Sequence, residues 1–457
     1  MSHAAAPSTG DSADTPAPGP VPGPRGPRPT AVPWRRILWS AMLGNAVEWY
    51  DNALYGILAV VIAQQFFAGG STTALISTYL GLILSYAVRP IGGTLMGRVG
   101  DIKGRKYVLT LTIALMSIGT VAIGLLPTYS AIGVAAPALL ALCRVVQGVG
   151  ASGEYTAAAD FLLEHGDKRG RNYLSGWCVG STSIGPLLAS AIAYVMILAV
   201  PEHDFNAWGW RVLFLLAAPL SLVTLYIRRH VTETPEFRQV MEQAKAETVK
   251  QSPFREAVRG YWRDMLRAIG LGAGQRVGSF VIQSYFVTAL VQNGFGEDQA
   301  LLAAILTYVV GAPAAIWGGL MADRHGGRRL LVAGYSVFVL LTVPTFLAIE
   351  SGSVVLAFVA VVVFTVINNI VGGPLTTAYV MSFPAHVRGT ASALNYNVGT
   401  TLLGGTAPLL AAWLHGLTGT DVSFGWYMTF FCLLSALVAG FALPKSVDEA
   451  RKLPATA

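Results

Sequence analysis

Charge and cysteine are both scarce in this sequence. Charged residues make up 12% of its 457 residues, whereas a soluble domain usually carries about 25%. The three cysteines stand alone, so they indicate neither a disulfide framework nor a thiolate metal site. No Gly-x-x-x-x-Gly-Lys-Ser/Thr, His-Glu-x-x-His or Gly-x-Ser-x-Gly pattern occurs, which leaves an ATP-driven pump, a metalloprotease and a serine hydrolase without support. We therefore expect no enzyme activity, no metal site and no bound cofactor.

Long apolar runs dominate the sequence instead. Hydrophobic residues make up 53% of the chain, and runs of roughly 20 residues, the length that crosses ~30 Å of hydrocarbon as a helix, recur along nearly all of it. Buried helices of a soluble protein are the alternative, but nearly all of the charges lie between the runs. We predict an all-α polytopic membrane protein with twelve transmembrane helices, at 37–66, 73–97, 107–126, 132–160, 172–199, 210–228, 265–292, 299–322, 329–349, 353–383, 388–415 and 424–444.

The basic residues mark one side of these spans. The formal net charge is +7, but all except four Lys and Arg residues lie in the N-terminal tail, at the ends of even-numbered spans or in the C-terminal tail. The positive-inside rule then places both termini in the cytoplasm, and it accounts for the basic charge without a nucleic-acid partner. The exceptions are Arg89, Arg144 and Arg276 within spans and Arg211 at the opposite edge.

A long hydrophilic stretch divides the chain into two halves of six spans. The N-terminal segment is rich in Pro, Ala and Gly, which is typical of a disordered tail. The predicted parts are a disordered cytoplasmic tail at 1–33, an N-terminal six-helix bundle at 34–228, a cytoplasmic central loop at 229–264, a C-terminal six-helix bundle at 265–444 and a short cytoplasmic tail at 445–457.

Two matching loops reveal an internal repeat. The loop after the second span and the loop after the eighth both contain a Gly, an Asp four residues later, a Gly three residues after that, and then basic residues. This recurrence predicts two pseudo-symmetric six-helix bundles. A tight turn with an Asp near a helix end could latch two helices together in one state, although a basic loop that only sets topology is the alternative. The predicted gating residues are Gly97, Asp101, Gly104, Arg105, Asp323, Arg324 and Arg328.

Two acids interrupt the first span. Glu48 and Asp51 are three residues apart on a predicted helix, and a charge at the bilayer centre costs at least ~2.5–3.5 kcal/mol, so it seldom lies there without a partner or a task. From the helical rise, Arg89 and Arg144 reach the same depth. We expect the acids to share these two bases in one network, with purely structural ion pairs as the alternative. The predicted proton-coupling residues are Glu48, Asp51 and Arg144.

The charges also indicate the kind of substrate. If Arg276 points inward, two acids face three bases, and a carboxylate would supply the missing negative charge in the two-pronged geometry that Arg favours. This favours an anion or a zwitterion over an organic cation. Burial raises the pKa of a carboxylic acid and a nearby Arg lowers it, so a change in their distance would couple the proton to transport. The predicted substrate-binding residues are Arg89, Arg144, Arg276, Asn45, Asn52, Tyr55, Gln283, Tyr285, Asn368 and Asn395, with Tyr308, Asn369 and Tyr396 as further cavity candidates.

The loop repeat, the two sets of six spans and Arg144-Val-Val-Gln-Gly-Val-Gly150 resemble the major facilitator superfamily over about residues 34–445. Further motifs are similar to its metabolite:proton symporter family, which imports proline, betaine, 2-oxoglutarate, citrate, shikimate and related acids. These motifs are Gly44-Asn-x-x-Glu-Trp-Tyr-Asp51, Arg89-Pro-x-Gly-Gly93, Ser152-Gly-Glu-Tyr155, Trp210-Arg-x-x-Phe214, Glu233-Thr-Pro-Glu-Phe237 and Gly404-Gly-Thr-Ala-Pro408. The chain departs from the pattern at Ile102 and Gly327. The long coiled coil of the osmosensory members does not follow Lys445, so the resemblance leaves osmosensing open and implies transport.

The resemblance implies a transporter that imports a small carboxylate or zwitterionic metabolite together with protons by alternating access. The expected partners are that small molecule, protons and the lipid bilayer, with the proton gradient as the driving force. The Ala-, Gly- and Val-rich, Lys-poor composition indicates a bacterial cell membrane. A proton-antiport exporter of an organic compound is the alternative, and a non-transporting membrane sensor is a more distant one.

Overall fold

The structure is a computed structural model that describes residues 34–68, 71–103, 105–152, 155, 159, 162–163, 170–230, 258–384 and 387–443. Within these ranges the chain is helical and contains no strand. The helices group into twelve consecutive spans, which are numbered here along the chain.

The first half contains spans 1 to 6. In order, their helices are Trp34–Ile57 with Ala59–Phe66, Ser71–Ala87 with Arg89–Lys103, Arg105–Leu125, Ala135–Gly150, Arg171–Ser181 with Ile184–Ala199, and Glu202–Asp204, Phe205–Gly209, Trp210–Leu215 and Ala217–His230. A short helix, Tyr129–Ile132, precedes span 4.

The second half contains spans 7 to 12. In order, their helices are Trp262–Leu271, Ala273–Ser284 and Phe286–Gln292, then Glu297–His325, Gly327–Glu350, Val354–Met381, then Arg388–Gly399, Thr400–Gly405 and Ala407–Thr418, and lastly Val422–Phe441.

Several spans break where the sequence removes a backbone donor. Span 2 breaks at Val88, two residues before Pro90, and the π-helical turn Thr400–Gly405 of span 11 ends just before Pro408. Proline cannot donate the helical hydrogen bond and its ring crowds the preceding turn, so such breaks are expected next to it. Span 1 bends by 65° at Leu58, although no proline lies within that span.

Length and composition identify up to eight membrane crossings among the described residues. Among the described residues, seven helices are long and apolar enough to cross a membrane, and the bent first span makes an eighth. Spans 3 and 4 contain shorter apolar helices, Thr110–Leu125 and Ala135–Gly150, while spans 7 and 11 are divided into consecutive pieces. The predicted fold class, all-α with twelve transmembrane helices in two six-helix bundles, is confirmed.

The two halves meet along span pairs that leave a cavity between them. Span 5 packs against spans 8 and 10, span 2 packs against span 11, and span 1 packs against span 7. Large apolar side chains such as Leu340, Val355 and Phe441 are exposed on the outside of the bundle, as expected where lipid tails replace water.

The predicted tails and most of the central loop lie outside the described residues. Within the described part, span 7 begins at Trp262, inside the predicted central loop. The other domain boundaries stay predictions.

Candidate functional site

A cavity lies between the two halves, with about 760 Å³ of space not filled by atoms and partly open to solvent. Both halves contribute to its wall, which is lined by Trp49, Tyr155, Val179, Thr182, Ser183, Pro186, Gln275, Arg276, Ser279, Phe280, Ile282, Gln283, Tyr308, Thr365, Asn368, Asn369, Thr376, Tyr379, Tyr396 and Thr400.

Arg276 is the one charged residue among these lining residues. Its Nη2 donates to Asn395 Oδ1 at 3.3 Å and its Nη1 donates to the carbonyl of Ile269 at 3.5 Å, while its guanidinium lies 4.6 Å from the ring centre of Tyr379. Asn395 is itself fixed by donating to the carbonyl of Met265 at 2.8 Å. The guanidinium is therefore held in place without a carboxylate partner in the described residues.

Aromatic rings form much of the wall. Tyr155 and Tyr396 stack with ring centres 4.7 Å apart, and Trp49 meets Tyr155 edge-on at 6.4 Å. The Tyr155 hydroxyl lies 3.0 Å from Thr376 Oγ1, which fixes the ring between the halves. Ring faces attract cations, most strongly quaternary ammonium groups that cannot be hydrated tightly.

Many polar atoms of the wall are buried without a hydrogen-bond partner among the described residues. Buried polar groups are nearly always paired, so a group of unpaired ones facing a cavity indicates that a ligand or water completes them. These atoms are Trp49 Nε1, Arg276 Nε, Gln283 Nε2 and Oε1, Asn368 Oδ1, Tyr379 Oη and Thr400 Oγ1.

The acids of span 1 lie beside this cavity, not in its wall. Glu48 is 1% exposed and accepts a hydrogen bond from Arg89 Nη1 at 2.7 Å. The Arg89 guanidinium also lies 4.1 Å from the centre of the Tyr86 ring. Glu48 and Arg89 thus form a buried ion pair that joins spans 1 and 2.

Asp51 is arranged differently. It is 4% exposed, and neither of its carboxylate oxygens has a hydrogen-bond partner among the described residues. Arg144 and Thr120 lie nearby, but Arg144 forms no ion pair with it. Asp51 is therefore a buried acid without the direct partner that Glu48 has.

Arg144 is held by other groups. It donates from Nη1 to Gln147 Oε1 at 2.9 Å and from Nε to the carbonyl of Gly81 at 3.5 Å, and it lies 4.1 Å from the ring centre of Tyr55. Gln147 in turn donates a hydrogen bond to Thr120 Oγ1 at 2.7 Å. The expected network, in which two acids share two bases, is thus corrected to one direct ion pair, Glu48 with Arg89. The hydrogen bonds of Arg144 go to neutral groups.

The structure separates the predicted substrate residues into two groups. Arg276, Gln283 and Asn368 line the cavity, as do the candidates Tyr308, Asn369 and Tyr396. The remaining residues, which the cavity wall does not include, are Arg89, Arg144, Asn45, Asn52, Tyr55, Tyr285 and Asn395.

Three of these outlying residues bond to helices instead, two of them to a neighbouring span and one to its own. Asn45 donates to Ser181 Oγ at 3.0 Å, which joins spans 1 and 5, and Tyr55 donates to the carbonyl of Thr78 at 3.0 Å, which joins spans 1 and 2. Asn52 donates to the Glu48 carbonyl of its own helix at 3.1 Å. A buried amide serves equally well as a ligand or as a link between helices, so helical spacing alone does not separate these roles.

Sequence reasoning missed the aromatic part of the wall. Trp49, Tyr155, Phe280 and Tyr379 line the cavity but were not predicted to do so. A signal was present for two of them, because Trp49 adjoins Glu48 and Tyr155 ends the Ser152-Gly-Glu-Tyr155 motif.

Hydrogen bonds join the two halves at both ends of the bundle. At the end where spans 2 and 7 meet, the Tyr79 hydroxyl donates to the Ser284 carbonyl at 2.7 Å and lies 3.0 Å from Thr288 Oγ1. At the other end, Thr377 Oγ1 donates to Ser175 Oγ at 2.8 Å. The first set of contacts is called the outer gate below, and the second the inner gate.

Asp323 completes the inner gate. Its Oδ1 accepts from the backbone N–H of Asn172 at 3.2 Å and from Asn172 Nδ2 at 2.8 Å, and its Oδ2 accepts from the N–H of Tyr173 at 2.9 Å. These N–H groups open the first helix of span 5, where a negative charge is stabilised by the helix dipole. The loop of the second half thereby holds a helix of the first half.

The other predicted gating residues are less informative. Arg324 is exposed, and Arg328 donates to the carbonyl of Gly440 within its own half. Gly104 and the side chains of Asp101 and Arg105 lie outside the described residues, as does the surrounding of Gly97. The role of that first-half loop stays a prediction.

The chain is similar to known proteins in both sequence and structure. Residues 41–408 match the family model described as Major Facilitator Superfamily. The chain is 32% identical over 92% of its length, and 85% of the relative's, to "Proline/betaine transporter" of Salmonella typhimurium. It is 33% identical over 92% of its length, and 84% of the relative's, to "Glycine betaine/proline/ectoine/pipecolic acid transporter OusA" of Dickeya dadantii. Among solved structures, "D-xylose-proton symporter" superposes with a TM-score of 0.73 at 18% identity, over 90% of this chain and 98% of that one.

Proposed function

Since the chain belongs to the Major Facilitator Superfamily, we propose that it is a secondary active transporter that imports a small zwitterion together with protons by alternating access. The observation that carries this proposal is the composition of the cavity wall, with one arginine, no acid and several aromatic rings among the described lining residues. The relatives whose names refer to proline, glycine betaine, ectoine and pipecolic acid support a substrate of this class.

The charge of the wall selects the substrate. Arg276 is one positive charge, and a guanidinium binds a carboxylate with two parallel hydrogen bonds. A citrate-like anion with several carboxylates would need further cations at the cavity, but Arg89 and Arg144 are engaged outside its wall. An organic cation would meet Arg276 without a compensating acid. A molecule with one carboxylate and one ammonium group therefore fits best.

The two ends of such a molecule would bind different halves. Arg276 and Tyr379 belong to the second half, whereas Trp49 and Tyr155 belong to the first. The carboxylate on Arg276 would leave the ammonium group near the Trp49 and Tyr155 rings, where cation–π attraction is worth about 0.5–2 kcal/mol. A substrate that bridges the halves would favour the closed arrangement in which both walls reach it.

Asp51 is the better candidate for the transported proton. Glu48 already has Arg89 as an ion-pair partner at 2.7 Å, whereas Asp51 forms no ion pair among the described residues and has Thr120 and Arg144 as its polar neighbours. A buried charge without a partner is costly, and a proton relieves that cost. Release of the proton would follow when the opening of the halves brings water or Arg144 closer.

The distribution of basic residues supports an orientation of the protein in the membrane. With both termini in the cytoplasm, the inner gate at Asp323 faces the cytoplasm and the outer gate at Tyr79 faces the outside solution. A proton that enters from outside with the substrate then makes the transporter an importer in a cell membrane. An exporter would use the same fold, but Arg276, with no acid beside it among the described lining residues, disfavours an organic cation.

Counterflow in proteoliposomes tests the substrate class. Proteoliposomes that contain the purified chain would be loaded with unlabelled glycine betaine, proline, 2-oxoglutarate or citrate. Uptake of the same solute in labelled form would be measured with and without a proton gradient. We expect counterflow with the zwitterions and gradient-driven accumulation of them. Arg276→Gln should abolish it, while the control Arg267→Gln, at an exposed arginine paired with Asp264, should not. Counterflow only with citrate, or with no solute, would contradict the proposal.

A further inference from the structure

A buried acid cluster lies at the outer end of the second half, away from the cavity. Asp421, between spans 11 and 12, is fully buried. Its Oδ1 accepts from the Tyr285 hydroxyl at 2.6 Å, and its Oδ2 accepts from Asn293 Nδ2 at 2.7 Å. His415 Nδ1 lies 2.9 Å from the same Oδ1. One carboxylate at the start of span 12 thus gathers groups from spans 7 and 11.

Two of these groups fix the part of span 7 that forms the outer gate. The helix of span 7 is interrupted at Tyr285, between Ala273–Ser284 and Phe286–Gln292. Tyr285 directly follows Ser284, whose carbonyl accepts from Tyr79 across the gate, and the second helix carries Thr288. The bond from Tyr285 to Asp421 therefore holds the break in span 7 at the point where the gate closes.

Few charges surround this carboxylate. Glu350 at the end of span 9 accepts from the Asp421 N–H, which brings a second carboxylate close. The adjoining outer half of span 2 contributes Thr72 beside Gly416 and contains no charged residue between 71 and 88. In the described residues, no Lys or Arg forms an ion pair with Asp421 or Glu350, so His415 is the one group of the cluster that can become a cation.

His415 connects the cluster to the solution. Its side chain is 25% exposed, whereas that of Asp421 is 0% exposed. An ionised carboxylate only accepts hydrogen bonds, so Nδ1 must carry a proton to donate to Asp421. A second proton on the ring would place a positive charge against two carboxylates, and histidine is the side chain whose charge normally changes between about pH 5 and 8.

We propose that Asp421 is the positioning residue of the outer gate, which it holds through Tyr285 and Asn293, and that His415 strengthens this anchor when the outside solution is acidic. The cluster is distinct from Asp51 of span 1, the proposed proton carrier. Protonation of His415 would slow outer-gate opening without itself moving a proton across the membrane. The sidedness of the anchor rests on the topology proposed above.

Outer-gate opening can be measured without any substrate. Thr288→Cys places a thiol at a position that is 1% exposed when the gate is closed, and a membrane-impermeant maleimide added outside reports its opening. Ser130→Cys, at an exposed position in the short helix before span 4, serves as the reference. The ratio of the two labelling rates removes the pH dependence of the thiol chemistry, and the parent chain corrects for the native cysteines. The pH would be equal on both sides.

We expect the ratio to rise roughly three- to tenfold between about pH 5.5 and pH 8, the range in which histidine normally changes its charge. His415→Gln should abolish the rise, and His415→Arg should keep the ratio low at every pH. Asp421→Asn should raise it throughout. The matched control is His203→Gln, because His203 lies 3.3 Å from Asp204 in an exposed pair that is also at the outer end. Its profile should equal that of the parent.

An unchanged rise in His415→Gln, or a loss of the rise in His203→Gln, would overturn the proposal. Labelling of Thr288→Cys only from the inner solution would do the same. If Asp421→Asn fails to fold, the two His415 variants still decide the outcome. Counterflow measured on the same vesicles keeps the proposals apart, since its absence alongside a His415-dependent rise would refute transport and support the anchor.

Discussion

Asp323 should hold the inner gate shut, and Asp323→Asn should release it. The carboxylate accepts three hydrogen bonds from the start of span 5. An Asn keeps one acceptor oxygen, which can retain the two bonds from Asn172, but its NH₂ group would face the N–H of Tyr173 at the position of Oδ2. The variant therefore loses one charge-assisted bond and the attraction between the charge and the helix dipole.

The loss can be expressed as a shift between closed and inward-open states. A hydrogen bond to a charged group contributes about 1.5–3 kcal/mol, and a charge at a helix end contributes about 0.3–1 kcal/mol. Because Asp323 is half-buried, water would replace part of this, which leaves about 2–3 kcal/mol. That corresponds to a roughly 30- to 150-fold larger population of the inward-open state.

The assay is alkylation from the cytoplasmic side. Thr377→Cys lies at the inner gate and is 1% exposed, so an impermeant maleimide in inside-out vesicles reports inward opening. Labelling should accelerate strongly in Asp323→Asn and remain at the parent rate in Asp264→Asn, an acid whose ion-pair partner in the described part of the chain is Arg267 of its own helix. Equal rates in Asp323→Asn and the parent would refute the latch. Equal acceleration in Asp264→Asn would reduce the effect to surface charge.

Further predictions concern the proton, the substrate and the latch. Asp51→Asn should keep counterflow but lose gradient-driven accumulation, whereas Glu48→Gln should keep accumulation and lower the melting temperature, because breaking a buried ion pair costs about 3–5 kcal/mol; the reverse pattern would exchange the two roles. Arg276→Lys should raise the KM for a zwitterion at least about tenfold, since Lys does not reproduce the two-pronged contact, and an unchanged KM would place the carboxylate elsewhere. Gly170→Ala should accelerate inner-gate labelling as Asp323→Asn does, because its Cβ would collide with the Asp323 carboxylate. Labelling at the parent rate would show that the carboxylate can move aside without opening the gate.

The membrane fold follows from local properties of the chain. Helices in lipid must satisfy their own backbone and hide it from hydrocarbon, so an apolar run of the right length is nearly sufficient to predict a span. The twelve predicted spans correspond to the observed helices for this reason. The repeated Gly-x-x-x-Asp loops, 97–101 and 319–323, likewise reveal the division into halves.

The breaks within the spans are harder to predict from the sequence. Pro90 and Pro408 give a local reason for two of them, but the 65° bend at Leu58 and the interruption at Tyr285 have no proline beside them. The second of these is held by Asp421, more than a hundred residues away in sequence. A contact of that kind depends on the packing of spans 7, 11 and 12 and leaves no trace in the local sequence.

The sequence by itself determined that this protein spans a membrane, that it consists of two related halves, and that charged side chains lie buried among its helices, because each of these is written in hydrophobicity, spacing or repetition along one chain. Only the tertiary structure decided which buried groups meet. It paired Glu48 with Arg89, left Asp51 without a direct partner, and placed Arg276 with Trp49 and Tyr155 around one cavity. Helical spacing gives the face and depth of a side chain, but the neighbour it contacts depends on how separate helices pack, and that is a property of the folded bundle.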